Sequence, residues 1–178
     1  MSRKAAKGGG AGGRGGGVGG RGGGTPATAA LVRAGVPHEL RPYTHDPSAP
    51  SYGLEAAAAL GVPPEQVFKT LLATVDGRLV VAVVPVSGSL DLKALATAVG
   101  GKRAEMAEPA QAERVTGYVV GGISPLGQRK ALPTVVDATA AGFEQVLVSA
   151  GRRGLDVSLA PSDLVRLTAA TVAPIGRP

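Results

Sequence analysis

A lysine within an otherwise apolar stretch, Lys69, is the first residue whose position indicates chemistry. Residues 67–74 read VFKTLLAT, and strand alternation places Lys69 on one face with Val67 and Leu71. Thr70 falls on the opposite face. Burial of an ammonium lowers its pKa and leaves a good donor to a substrate oxygen, or a base. The residue pattern alone favours the simpler interpretation, in which the ammonium reaches solvent from an edge strand.

A pair of glycines in the segment VVGGISPLG, residues 119–127, indicates a second site. Gly121 and Gly122 leave backbone N–H groups unshielded and let a substrate approach closely. Such a loop can hold an oxyanion or a phosphate. Pro125 fixes part of the loop and has no N–H to offer. An ordinary connection between strands explains the glycines equally well.

Polar residues in two strand-like segments near the C-terminus form a third group. Asp156 lies on the polar face of residues 155–159, where it could orient an amine or pair with Lys69. A solvated strand face is the simpler alternative. Ser149 either donates to a ligand or caps a strand end. The pair Arg152–Arg153 either holds phosphates or forms an exposed basic turn.

The segment YTHDP, residues 43–47, collects a phenol, a hydroxyl, an imidazole and a carboxylate. Tyr43 is one of only three tyrosines, so its placement is informative. Catalysis by a hydroxyl, a histidine and an acid needs a geometry that residue order does not show. The alternative is a turn in which the Asp46 carboxylate bonds its own backbone. With two histidines and no cysteine in the chain, no metal and no other cofactor is expected.

The elements that must position these residues mix helices with strands. Capping residues and glycines predict helices beginning near Thr25, Ser51, Asp91, Glu108 and Ser162. Strands are predicted over 37–44, 67–75, 78–85, 134–137, 144–149, 156–160 and 171–175, and Asp76-Gly77 predicts a hairpin. Hairpins mixed with helices predict an α/β (α+β) fold with a mixed sheet.

Length and composition favour one domain. The chain has 178 residues, 44% of them hydrophobic, which fits a single domain with a real core. The absence of cysteine excludes disulfides, iron–sulfur clusters and a thiol nucleophile. No apolar run is long enough for a membrane span, and the basic N-terminus lacks the apolar stretch of a secretory signal. A cytoplasmic protein is therefore expected.

Charge is concentrated at the N-terminus. The net charge is +6, and residues 1–24 carry five basic side chains and no acidic one. Residues 25–178 carry 14 basic and 13 acidic side chains and are nearly neutral. We expect residues 1–24 to form a disordered tail, because glycine-rich basic sequence has little to bury. The tail resembles RGG segments that bind RNA, although a solvated leader explains it as well.

Several segments, taken in order, resemble the YbaK/EbsC family of aminoacyl-tRNA editing proteins, relatives of the insertion domain of bacterial prolyl-tRNA synthetases. The resemblance covers about residues 25–175 and is close to the YbaK branch, the Cys-tRNA(Pro)/Cys-tRNA(Cys) deacylases. It rests on TPA (25–27), YTHDP (43–47), VFKTLL (67–72), LDLK (90–93), TGY (116–118), GGISPLGQ (121–128) and RGLD (153–156).

The resemblance implies a mixed, partly curled sheet surrounded by helices, and it implies a set of site residues. The family's site lysine falls on Lys69, and its G-x-x-x-P motif falls on residues 121–125. Lys69, Gly121 and Asp156 are thereby assigned to catalysis. The residues assigned to substrate binding are Tyr43, Thr70, Gly122, Ile123, Ser124, Pro125 and Ser149.

The implied function is trans-editing, with tRNA(Pro) carrying cysteine as substrate and prolyl-tRNA synthetase as partner. In this branch the substrate's own thiol attacks the ester, so the protein need supply only positioning and carbonyl stabilisation. One alternative is a deacylase that uses water to clear alanine or another small residue from tRNA(Pro). A second alternative is an RNA-binding module without catalysis. The oligomeric state is not predicted.

Overall fold

A computed structural model describes residues 24–178. The predicted tail therefore lies, but for its last residue, outside the described residues. The five helices of this part are α1 (Pro26–Ala34), α2 (Tyr52–Leu60), α3 (Leu92–Ala98), α4 (Pro109–Thr116) and α5 (Pro161–Thr168). Its strands are β1 (His38–Pro42), β2 (Phe68–Val75), β3 (Arg78–Pro85), β4 (Ser89–Leu90), β5 (Ala104–Met106), β6 (Thr134–Asp137), β7 (Val146–Arg152), β8 (Leu155–Leu159), β9 (Thr171–Ala173) and β10 (Gly176–Arg177).

Local signals determine where the helices begin and end. The Thr25 side chain accepts a hydrogen bond from the Thr28 N–H at 3.1 Å and caps α1, and Ser51 caps α2 in the same way. Both helices end in a glycine with left-handed backbone, Gly35 and Gly61. The predicted start of α5 at Ser162 is wrong by one residue, because Pro161 occupies the first helical position.

The central sheet has five strands in the order β5-β2-β3-β6-β9. β2 and β3 form the hairpin predicted at Asp76-Gly77, whose two residues have φ of 47° and 83°. β6 pairs in parallel with β3 and with β9, so the sheet is mixed as predicted. A second sheet, in the order β1-β8-β7, is antiparallel. A parallel bridge between Val67 and Leu147 joins the two sheets.

Apolar side chains fill both faces of the central sheet. Phe68, Leu72 and Val83 belong to a core shared with α1, α5 and the inner face of the second sheet. Ala73, Val84 and Leu95 belong to a core on the opposite face, covered by α3. The alternation predicted for residues 67–74 is therefore confirmed, with Phe68 and Leu72 on one face and Ala73 on the other. In the described part of the chain, no helix has the length and apolar character needed to cross a bilayer.

Candidate active site

A cleft of about 350 Å³ opens where the two sheets meet. Its walls come from β2, β7, β8, α2 and the loop after α4. β5 pairs only with Ala73–Val75, the last three residues of β2. The earlier stretch of β2, from Lys69 to Leu71, is therefore not covered by β5 and lines the cleft. The floor is apolar and includes Val67, Phe68, Leu72 and Val86.

Lys69 lines the cleft from the wall of the central sheet. Its ammonium is half-buried and donates to the Gly88 carbonyl at 2.8 Å. Burial lowers the pKa of the Lys69 ammonium, as expected for a cation that loses hydration. At Lys69 β2 pairs with β3 alone, so the lysine is on an open strand edge as that interpretation expects. Its ammonium does not extend freely into solvent, because it is half-buried and has a protein acceptor.

Thr70 also lines the cleft and contributes a buried hydroxyl, from the face of β2 opposite to Lys69. Its Oγ1 is inaccessible to solvent and has no hydrogen-bond partner among the described residues. Buried hydroxyls without partners are uncommon and cost about 1–3 kcal/mol. This hydroxyl is therefore a polar group that a bound ligand could satisfy.

Asp156 lies on the opposite wall, on β8, with only 5% of its surface exposed. The expectation of a solvated strand face is wrong, since the cleft and its surrounding elements bury this face. Burial raises the pKa of the Asp156 carboxyl to about 6, partly offset by the positive charge of Arg41 on β1. No hydrogen bond to a described residue lowers that pKa. Among the ion pairs of residues 24–178, none joins Asp156 to Lys69.

Tyr43 and Ser149 stand beside this carboxyl. Burial raises the pKa of the Tyr43 phenol, and the charge of Asp156 adds to the rise. Ser149 pairs with Asp156 across β7 and β8, and its Oγ accepts from the Gly151 N–H at 3.2 Å. Both residues line the cleft. Together with Asp156 they form a polar patch suited to an ammonium group.

The histidine of the YTHDP segment takes part in no catalytic triad. His45 Nδ1 lies 2.9 Å from Glu55 Oε2, and Glu55 Oε1 accepts from the Asp46 N–H. The Asp46 carboxylate accepts from the Ser48 backbone at 2.9 Å, so the interpretation as a turn is confirmed. No histidine is among the described residues that line the cleft.

The glycine loop follows α4 and leads to β6, so it connects a helix to a strand and not two strands. The Gly122 N–H donates to the Val119 carbonyl at 2.8 Å, which closes a turn. Gly121 has a φ of 88°, while Val120 has no positive φ. These values define a type II turn, which requires a positive φ at its third position and so favours glycine there. A Cβ at Gly122 would lie 2.8 Å from the Arg152 backbone, so both glycines are needed.

The cleft brings together most of the residues predicted from the sequence. Those that line it are Tyr43, Lys69, Thr70, Gly121, Ile123, Ser149 and Asp156. Gly122, Ser124 and Pro125 are buried outside the lining. Ser124 supports the loop instead, since its Oγ accepts from the Leu126 N–H at 3.2 Å and its carbonyl from Gln128.

Tyr52 is a lining residue that sequence reasoning missed. The first residue of α2, it is 39% exposed at the cleft. The Arg153 guanidinium lies over its ring, 4.8 Å from the centroid. The sequence predicts that Tyr52 follows the helix cap Ser51. It does not show that Tyr52 lies at the cleft, because the neighbours of Tyr52 come from distant segments.

The arrangement can bind and orient a charged, carbonyl-containing ligand. It offers an ammonium, a buried carboxyl, an unpaired hydroxyl and a glycine turn, over an apolar floor. Within residues 24–178, no group of three or more His, Cys, Asp or Glu side chains is placed to hold a metal ion.

Similarity to known proteins agrees with this geometry. Residues 46–167 match the family model described as the aminoacyl-tRNA editing domain. A protein of Enterococcus faecalis, EbsC, described as a candidate Cys-tRNA(Pro)/Cys-tRNA(Cys) deacylase, is 43% identical over 114 residues, or 63% of this chain and 69% of its own. The multifunctional Ser/Thr-tRNA deacylase ProXp-y of Escherichia coli K12 is 32% identical over 104 residues, or 56% and 62% of the two chains.

A solved structure shares the fold. The crystal structure of a candidate trans-editing enzyme for prolyl-tRNA synthetase superposes with a TM-score of 0.76 and 26% identity. The superposition covers 86% of this chain and 96% of that one. The resemblance found in the sequence is thus confirmed, and this chain belongs to the aminoacyl-tRNA editing domain family.

Proposed function

We propose that this protein is a trans-editing deacylase that removes cysteine from tRNA(Pro). The observation that carries the proposal is the composition of the cleft. A lysine from one sheet, a buried carboxyl from the other and the glycine turn all line it. The similarity of this chain to EbsC, a candidate Cys-tRNA deacylase, supports the same substrate class. Cleavage of Cys-tRNA(Cys) is a second activity that this similarity makes worth testing.

An aminoacyl ester has groups that match both walls. Its α-ammonium complements the ionised Asp156, with Ser149 and Tyr43 beside it. The Lys69 ammonium faces the other end, where the ribose and the ester oxygens lie. Backbone N–H groups around Gly121 stabilise the carbonyl oxygen as it gains charge. Loss of one such donor typically costs about 3 kcal/mol of transition-state stabilisation.

The reaction needs no nucleophile from the protein. The cysteine sulfur bonds to the ester carbonyl carbon, while the bond from that carbon to the ribose oxygen breaks. The ribose oxygen keeps the electron pair and takes up the proton released by the thiol. The products are a cyclic thiolactone and free tRNA. Because a well-oriented internal attack reaches effective molarities of about 10⁵ M or more, positioning can be sufficient.

Binding of tRNA is assigned to a partner. Residues 25–178 are nearly neutral, and neutralisation of phosphates sets nucleic-acid affinity. We propose that prolyl-tRNA synthetase holds the tRNA, because the similar solved structure is that of a candidate trans-editing enzyme for this synthetase. The basic residues 1–24 are a second anchor. Their deletion should lower tRNA affinity and flatten its salt dependence, and an unchanged slope contradicts the anchor.

A second candidate function is water-dependent release of other small residues. It is favoured by similarity to the Ser/Thr-tRNA deacylase of Escherichia coli. In that case the cleft orients a water molecule where the thiol would lie. The site residues keep the same roles, and only the attacking atom differs.

Release of tRNA from Cys-tRNA(Pro) tests the proposal, with correctly charged Pro-tRNA(Pro) as the control substrate. We expect the wild type to release tRNA from the cysteinyl substrate, and Lys69→Ala to be slowed about tenfold or more, in line with the loss of one charge-assisted hydrogen bond. A Lys69→Ala protein with the normal rate would remove Lys69 from the scheme. No release from any mischarged tRNA, even with prolyl-tRNA synthetase added, would favour an RNA-binding module.

A further inference from the structure

Side chains bind both backbone groups of Val120, whose carbonyl belongs to the peptide that joins Val120 to Gly121. It is the central peptide of the type II turn described above. Arg153 donates to its carbonyl oxygen twice, from Nε at 3.0 Å and from an Nη at 2.7 Å. The Val120 N–H, on the other side of the residue, donates to a Glu113 carboxylate oxygen at 2.9 Å. Both backbone groups of Val120 are therefore held by charged side chains.

The surroundings of Arg153 keep this contact in place. Its guanidinium lies over the Tyr52 ring, and a Cβ at Gly121 would come within 2.9 Å of both side chains. A guanidinium presents several donors in a fixed plane, so it can bind one carbonyl with two N–H groups. The neighbouring Arg152 is also exposed, but its side chain forms no hydrogen bond or ion pair with residues 24–178.

The orientation of this peptide decides where the Gly121 N–H points. Type I and type II turns differ mainly by a flip of the central peptide. In a trans peptide the C=O and N–H point in opposite directions. Because Arg153 binds the Val120 oxygen, the Gly121 N–H is directed away from the guanidinium. The positive charge on the oxygen side also polarises the peptide and makes the N–H a stronger donor.

We infer that Arg153 is a positioning residue for deacylation, which orients the Gly121 N–H toward the ester carbonyl oxygen. This inference rests on the proposed function. Arg153 acts through the turn and does not touch the substrate. Val120 and Gly121 both line the cleft, so the peptide that Arg153 holds is part of the cleft wall.

A different role for Arg153 is direct contact with a tRNA phosphate. The two roles predict different kinetics. A phosphate contact affects mainly the half-saturating concentration and its salt dependence. An orienting contact affects the maximal rate, because it is realised in the transition state.

The test compares Arg153→Met with Arg152→Met under single-turnover conditions, with enzyme in excess over Cys-tRNA(Pro). We expect Arg153→Met to lower the maximal rate about tenfold or more, approaching the effect of losing an oxyanion donor. The half-saturating enzyme concentration and its salt slope should match those of Arg152→Met. A normal maximal rate in Arg153→Met, with a raised half-saturating concentration, would identify a phosphate contact and overturn the inference.

Two further measurements separate this inference from the proposed function. The φ of Gly121, obtained from amide–Hα couplings in labelled protein, should depart from its wild-type value in Arg153→Met and not in Arg152→Met. An unchanged φ contradicts the inference even if the wild type is fully active. The double variant Gly121→Ala/Arg153→Met should be no slower than the slower single variant, whereas additive losses would mean two independent roles. A wild type that releases no tRNA contradicts the proposed function, while the couplings still decide whether Arg153 sets the turn.

Discussion

The two walls of the cleft differ in how far the protein satisfies their charged groups. On the wall of the central sheet, the Lys69 ammonium is half-buried and has an acceptor in the Gly88 carbonyl. On the wall of the second sheet, Asp156 is almost fully buried, and the charge of Arg41, its cross-strand neighbour on β1, is its main compensation. Without a ligand, the carboxyl wall therefore destabilises the folded state, whereas the lysine wall does not.

This difference indicates which wall is shaped for a ligand. A buried carboxyl without hydrogen bonds destabilises the folded state once it ionises. A ligand ammonium would remove that cost, so binding and ionisation of Asp156 should reinforce one another. Lys69 gives up a protein acceptor when it contacts a substrate, so it contributes less than Asp156 to the free energy of substrate binding.

The largest expected effect is at Asp156. Asp156→Asn should lower the rate of Cys-tRNA(Pro) cleavage about 100-fold, in line with the loss of one charge-assisted hydrogen bond. The same change should raise the free energy of unfolding at pH 7.5 by up to about 3 kcal/mol, because a pKa raised from 3.8 to about 6 opposes ionisation in the fold.

The stability gain has a defined pH window, which urea unfolding can measure. Below the unfolded pKa of 3.8, Asp156 is protonated in both states and costs nothing. Between that value and about 6, only the unfolded state ionises, so the cost grows with pH. Above about 6 the cost is constant. An advantage of Asn that is as large at pH 3.5 as at pH 7.5 would contradict this account.

A smaller effect is expected at Lys69. Lys69→Met should slow cleavage about tenfold and change the free energy of unfolding by less than about 1 kcal/mol, since one hydrogen bond is lost and one desolvated ammonium is removed. Met keeps the length of the side chain and its apolar packing. A stability change as large as that of Asp156→Asn would remove the difference between the walls.

The pH profile of the reaction sharpens the same comparison. If the ionised Asp156 holds the substrate ammonium, kcat/KM should fall about tenfold per pH unit below about 6. The fall should disappear in Asp156→Asn and persist in Lys69→Met. A profile that is flat from pH 5 to 7 in the wild type would exclude Asp156 from substrate binding.

The smallest effect is expected at Thr70. Because its buried hydroxyl has no partner among the described residues, Thr70→Val should stabilise the fold by about 1 kcal/mol. Cleavage should slow only a few-fold, through the loss of one neutral hydrogen bond. Thermal unfolding and a rate measurement check both, and a destabilised Thr70→Val would show that the hydroxyl is already satisfied, for example by water.

Local chemistry made much of the fold predictable. Thr25 and Ser51 cap their helices as expected, and Asp76-Gly77 forms the hairpin, because these signals act within a few residues. β5 was missed, since a strand of three residues forms only where β2 offers an edge distant in sequence.

The sequence predicts which residues form the site better than it predicts how deeply they are buried and what they contact. Alternation placed Lys69 and Thr70 on opposite faces of one strand, and the family resemblance singled out Asp156. The burial of Asp156 was not predicted, since it depends on elements far away in the chain, including Tyr43 and α2. The contact of Arg153 with the Val120 carbonyl is likewise tertiary, and no local pattern indicates it.

The most direct measurement is the single-turnover release of tRNA from Cys-tRNA(Pro), Ser-tRNA(Pro) and Ala-tRNA(Pro) by the wild-type protein. Serine differs from cysteine chiefly in the attacking atom, and alanine lacks one. If the cleft supplies positioning while the substrate thiol attacks, only the cysteinyl ester should be cleaved rapidly. Comparable release from the alanyl ester would mean that water is the nucleophile and would contradict substrate-assisted cleavage.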